Sequence, residues 1–109
     1  MRRIPWDQLL YVLSDDHYAQ LVLREEKLRT RLPFAKICES LEDGPFLVCN
    51  RGILLNMDCI ASFDRRSFSM QDGTVFDIRK RNRPAIRARY EKYLQEISED
   101  ISCRYPQVP

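Results

Sequence analysis

The apolar residues of this chain change their spacing once, and that change limits what the chain can fold into. Up to about Ile78 they come in short runs or alternate with polar residues. From Ile86 they recur as Ile86, Tyr90, Tyr93, Leu94 and Ile97, a single helical stripe. The expected architecture is therefore mostly β, with a helix at the C-terminal end.

Leu9 to Leu13 and Tyr18 to Leu23 are two β-favouring runs split by Ser14, Asp15, Asp16 and His17, a hairpin signal. Lys27 to Leu32 alternates polar and apolar and predicts a third strand with one wet face. Pro33 can open a short helix that carries Phe34, Ile37, Cys38 and Leu41 on one side and stops at Asp43-Gly44-Pro45. Phe46 to Val48 and Gly52 to Leu55 read as two strands meeting at a polar corner, Asn50-Arg51. Three more short strands are expected at 60–64, 67–70 and 74–78, with Asp72-Gly73 favouring a tight hairpin turn. The last helix is expected from about Arg83 to about Glu99, with Asn82 as N-cap and Pro84 in its first turn. Residues 1–100 are expected to form one domain, and 101–109, with two prolines, a frayed tail.

A length of 109 residues and 44% hydrophobic content suffice for one core without metal or disulfide staples. No run reaches the roughly 18 apolar residues of a membrane span, and the N-terminus lacks an apolar signal core, so a cytoplasmic protein is expected. Cys38, Cys49, Cys59 and Cys103 are scattered without a CxxC pair, which reads as reduced, partly buried thiols and no zinc site. With one histidine, His17, set among turn residues, neither a metal centre nor a nucleophile–base pair can be assembled, so no enzyme and no cofactor are expected. Trp6, Phe46, Phe63, Phe76, Tyr90 and Tyr93 read as packing aromatics.

The net charge of +2 is too small to argue for nucleic acid, but its distribution is uneven. Arg79, Lys80, Arg81, Arg83, Arg87 and Arg89 crowd one stretch with no acid among them, while Glu91, Glu96, Glu99 and Asp100 follow. Such a local positive surface suits a polyanion.

Taken in order, several segments resemble the LytTR family of DNA-binding domains: Ile4 to Val12 as the opening strand, His17-Tyr18 in the first hairpin, and Leu41 ahead of the corner. The most specific is the corner itself, Phe46 to Asn56 followed by Ile60. Asp72-Gly73 and Ile78-Arg79-Lys80-Arg81 then lead into the final helix. The resemblance covers residues 4–97. Val48 stands where the family has Arg, Asn50 where it has His, and Gly52 and Arg79 where it has Ser, so sequence preference should differ.

The resemblance implies an elongated arrangement of short-stranded sheets with one short central helix and one C-terminal helix, which binds double-stranded DNA by loops in successive major grooves. The contacts map to His17, to Asn50 and Arg51, and to Arg79, Lys80, Arg81, Asn82 and Arg83. Arg51 can fork onto guanine or phosphate; Asn50 can bond adenine or cap its own turn; His17 can donate to a base or sit in its hairpin turn. The basic turn would meet phosphate together with the amides of the helix that follows. Asp15 and Asp16 put negative charge beside the first loop unless they point away or accept from cytosine. Asn56 reads as a structural, backbone-bonding residue. The family further implies a bacterial transcription regulator of a two-component system, with a receiver domain in the full-length protein and paired copies on repeated sites. Whether the chain is a fragment or a stand-alone regulator stays open. The alternative is a protein-interaction module of the same fold without DNA activity.

Overall fold

The computed structural model describes residues 4–104. Eight strands and two helices follow one another in the expected order: β1 (Leu9–Asp15), β2 (Tyr18–Leu23), β3 (Lys27–Thr30), α1 (Phe34–Ser40), β4 (Phe46–Asn50), β5 (Ile53–Asn56), β6 (Ile60–Phe63), β7 (Ser67–Met70), β8 (Val75–Asp77) and α2 (Arg83–Arg104). The strands form a five-stranded sheet, β3-β2-β1-β5-β4, and a three-stranded sheet, β6-β7-β8, with antiparallel pairing throughout. The fold is mostly β and elongated, 53 × 35 × 25 Å.

The large sheet is covered on both faces, which explains why β1 reads as a continuous apolar run and not as an alternation. One face, through Leu9, Val12, Ala19, Leu23 and Leu54, packs on Ile37 of α1, with Phe34, Cys38 and Leu41 beside it. The other face, through Leu10, Tyr11, Val22, Leu47, Cys49 and Leu55, packs on Phe68 and Met70 of the small sheet and on Tyr90 and Tyr93 of α2. β3 lies at an edge and keeps the half-wet alternation read from its sequence. Tyr90 meets Phe63 and Phe68 edge-on at 5.0 and 5.3 Å.

Polar ties also fix the sheets to each other. The Tyr11 hydroxyl on β1 donates to Asp72 Oδ2 at 2.8 Å and lies 3.1 Å from Thr74 Oγ1, reaching the turn between β7 and β8. Partial desolvation pushes the Asp72 carboxyl up, but the Thr74 amide and the Tyr11 hydroxyl outweigh it and hold the carboxyl below its ordinary value. Arg24, just past β2, donates to the Asp7 carbonyl at 2.8 Å and to Gln71 Oε1 at 2.9 Å.

The structure departs from the sequence reading at several element ends and side chains. The opening strand starts at Leu9, where the apolar run begins, and not at Ile4, where the family resemblance set it, because residues Trp6–Gln8 form a single 3-10 turn closed by Gln8 N–H on the Pro5 carbonyl. Trp6 is 43% exposed; it is no core residue, although its ring meets Phe46 edge-on at 5.8 Å. Leu94 is also exposed, since it sits a 100° step from Tyr93 at the margin of the buried stripe. The last helix continues to Arg104, past Glu99. The remainder of the expected tail, 105–109, lies outside the described residues, as does the side chain of Cys103. Cys49 and Cys59 are fully buried and Cys38 half-buried, all as free thiols. Burial pushes the Cys49 thiol up to about 12, with the Asp77 carboxylate adding to it, so this group stays protonated at neutral pH.

Candidate nucleic-acid interface

Antiparallel pairing brings three separate loops to one end of the large sheet. Asp15 pairs with Tyr18 across a two-residue turn, Asp16-His17, in which Asp16 takes a left-handed φ of 38°. Leu13 pairs with Ile53, so the β4–β5 turn lies at the same end as the first hairpin. Ser14 N–H on the Gly52 carbonyl, 2.8 Å, ties the two turns directly.

The third loop reaches this end through an irregularity. Val48 pairs with Leu54 but Asn50 with Ile53, which makes Cys49 the extra residue of a β-bulge. Its carbonyl accepts the Arg79 N–H at 2.8 Å, so the segment leaving β8 lies along the outer edge of β4. Asn50 reinforces the junction: its Nδ2 donates to the Asp77 carbonyl at 3.1 Å, and its Oδ1 accepts the Arg51 N–H at 2.8 Å. The two segments singled out from sequence, the 50–56 corner and the 79–83 turn, are thus held side by side, Arg79 bonded to Cys49 just before the corner and Asn50 bonded to Asp77 just before the turn. Asn50 does cap its own turn, and it also clamps that turn to the second sheet.

Gly52 makes the corner tight. Its φ is +71°, and a Cβ built there would come 2.9 Å from the Ser14 Cβ. A side chain at 52 therefore meets both an unfavourable backbone well and a neighbour anchored on the central strand. Gly52→Ala is expected to lower stability by about 1–3 kcal/mol in urea titration; an unchanged midpoint would mean that the corner relaxes freely.

Arg79, Lys80, Arg81 and Asn82 are all exposed. Asn82 holds the cap position of α2: its carbonyl receives the Ile86 N–H at 3.0 Å, while its own φ is +68°, a left-handed value that asparagine tolerates better than most residues. Arg83 is half-buried and partly engaged, with Nη2 on the Ile78 carbonyl at 3.0 Å. Arg87 pairs with Glu91 at 3.6 Å. The first turn of α2 carries no acid, so nothing on it opposes an anion.

Beside the corner opens a cleft of about 420 Å³ lined by Asn50, Arg66, Asp77, Ile78, Arg79, Lys80 and Arg83. Arg66 was not singled out from the sequence. Its chance of being found lay in the adjacent pair Arg65-Arg66, but only the Ile78 N–H on its carbonyl, 2.7 Å, brings it beside the basic turn. Asp77 adds one carboxylate to this otherwise cationic wall. His17 is exposed in its turn, next to a shallow hollow that includes Ser14, Arg31 and Phe34. Among the described residues no group of three His, Cys, Asp or Glu side chains is placed to hold a metal ion, and no helix is long and apolar enough to cross a membrane.

Comparison with known proteins gives two matches that bear on this site. A family model for the LytTr DNA-binding domain matches residues 1–91. The fold is also similar to a solved LytTr DNA-binding domain, from a protein of Bacillus cereus described as a methyl-accepting/DNA response regulator. That likeness has a TM-score of 0.59 at 18% identity and covers 85% of this chain and 83% of the other. No curated protein matches the chain.

Proposed function

The chain belongs to the LytTr DNA-binding domain family, and from that membership we propose that it binds double-stranded DNA sequence-specifically to regulate transcription, inserting loops into the major groove. What carries the reading is the row of exposed loops along one end of the large sheet, with Arg51, Arg79, Lys80 and Arg81 presented to solvent and unpaired with any acid among the described residues.

The loops divide the work. Arg79, Lys80 and Arg81 meet phosphate at the N-terminus of α2, where backbone amides add to their charge. Arg51, at the tip of a turn held by Asn50 and Gly52, is rigid enough to fork onto a guanine edge. Asn50 uses one amide proton and one lone pair on the backbone, so it positions the corner and keeps its second proton and second lone pair for a base. His17 and Asn82 supply lesser contacts, and Arg83 holds the turn in shape as well as carrying charge. In this reading the chain is the effector part of a bacterial cytoplasmic response regulator. It follows a receiver domain and acts as paired copies on repeated sites, without cofactor or chemistry.

Selection of bound duplexes from a random pool tests the reading. A recovered motif is expected, with log affinity falling against log salt at a slope near about −5 for five or six phosphate contacts. Failure to enrich any motif, with a flat salt response, would transfer the same surface to a protein partner. Arg51→Ala is expected to weaken binding and to relax preference at one position by about 1–3 kcal/mol, scored over a randomised site library. An unchanged preference would reduce Arg51 to a phosphate contact.

A further inference from the structure

At the far end of the same row, beside the His17 turn, stands a basic-aromatic cluster that the DNA-contacting loops do not include. The guanidinium carbon of Arg29 lies 4.7 Å from the centroid of the Tyr18 ring, and that of Arg31 5.8 Å. Register explains the grouping. Ala19 pairs with Thr30 and Gln20 with Arg29, so Tyr18 falls opposite Arg31, with Arg29 diagonal to it on the same face. Tyr18, Gln20 and Val22 share a face by strand alternation, and Val22 belongs to the core under the small sheet. The cluster thus occupies the open corner of a face that the small sheet and α2 cover elsewhere.

Three observations make it more than solvated charge. Tyr18 is 36% exposed and both arginines are exposed, yet neither guanidinium has a carboxylate within ion-pair distance among the described residues. Stacking on a tyrosine restrains two long side chains before any ligand arrives, which lowers the entropy lost on binding. Finally, Asp15 pairs directly with Tyr18, and Asp16 is in the adjoining turn. Without two cations here, this end of the row would repel a phosphate backbone.

Dimensions decide what the cluster reaches. Five steps of about 4.8 Å separate Arg31, across β2, β1, β5 and β4, from Arg79, roughly 24 Å in all. That exceeds the roughly 12 Å width of a major groove, so the two ends of the row fall on backbone outside the groove that the central loops occupy. Resting on the DNA-binding reading above, we propose that Arg29 and Arg31, held against the Tyr18 ring, grip the phosphate backbone flanking the recognised site.

The test uses the whole chain and a selected duplex in two lengths, the core site alone and the site extended by several base pairs on both flanks. The wild-type protein is expected to bind the extended duplex about tenfold more tightly. Arg29→Gln/Arg31→Gln should bind the two lengths equally, with a salt slope less negative by about 1.8, the share of two phosphates. Arg31→Gln alone, beyond the end of β3, gives about half that change and guards against a folding defect in the strand. Tyr18→Leu keeps both charges and should lose part of the length gain without changing the slope; wild-type behaviour would remove Tyr18 from the device. If the double variant keeps both the length gain and the slope, the proposal is overturned. If wild type binds but gains nothing from the flanks, this inference alone fails. If wild type binds no duplex at low salt, the DNA-binding reading fails with it.

Discussion

Replacing Asn56 with alanine is expected to lower the stability of the domain by about 3–5 kcal/mol, a large share of the roughly 5–15 kcal/mol that holds such a fold together. The residue is 0% exposed, and both polar atoms of its amide are hydrogen-bonded. Nδ2 donates to the Trp6 carbonyl at 2.9 Å and to the Leu9 carbonyl at 2.8 Å, while Oδ1 accepts the Asp58 N–H at 2.9 Å. One side chain therefore joins the N-terminal 3-10 turn, the start of the central strand and the turn from β5 into the second sheet. Alanine leaves those three backbone groups without this partner, and the Leu9 carbonyl is the one with least access to water. Asn56→Asp is the sharper control, because it keeps the size and the acceptor but presents an oxygen to two carbonyls. It should be at least as destabilising at neutral pH, as read by urea or thermal unfolding. A loss below about 1 kcal/mol for alanine would mean that water or local rearrangement satisfies these groups, and that the residue is dispensable to the fold.

Asn56 also shows how far the sequence could be read. Its place at the end of Ile53-Leu54-Leu55 marks it as a backbone-bonding turn residue, and it is one. The partners Trp6 and Leu9 lie about fifty positions away and leave no local trace, so the apolar run located the opening strand while the turn ahead of it, which the resemblance took into the strand, went unread. Element order was legible because each strand stops at residues with a turn chemistry of their own, Arg51-Gly52 or Asp72-Gly73. Gly73, at φ +91°, closes the three-residue loop 71–73 with Met70 N–H on the Thr74 carbonyl, where the turn residues place it.

The interface was legible in its parts and not in its assembly. Charge density singled out the 79–83 turn, and the family pattern singled out the corner at 50–56. Their junction depends on a one-residue bulge at Cys49, and a buried cysteine between Val48 and Asn50 gives no sequence signal for a bulge. Asn50 could be read as a base contact or as a cap because its clamp partner, the Asp77 carbonyl, is equally non-local. Arg29 and Arg31 were absorbed into the wet side of a period-two strand. Only the register against β2 sets a tyrosine between them.

Replacing Arg79, Lys80 and Arg81 together by alanine is expected to weaken DNA binding by about 100-fold or more at physiological salt and to make the salt slope less negative by about 2.7, the share of three phosphates. Arg81→Ala alone should cost at least about tenfold. The fold should survive, because all three side chains are exposed and the Arg79 N–H that bonds the Cys49 carbonyl belongs to the backbone and remains in alanine. Stability supplies a second readout. Cations beside the N-terminus of α2 oppose its dipole, an unfavourable arrangement of about 0.3–1 kcal/mol per charge. The triple variant should therefore melt at the same temperature as the wild type or slightly above it. Binding lost with stability kept or raised is what a surface shaped by its ligand predicts. Binding unchanged would show that the basic turn is ordinary solvated charge. Binding and stability lost together would give the turn a structural role and leave Arg51 and the first hairpin to carry the DNA contacts.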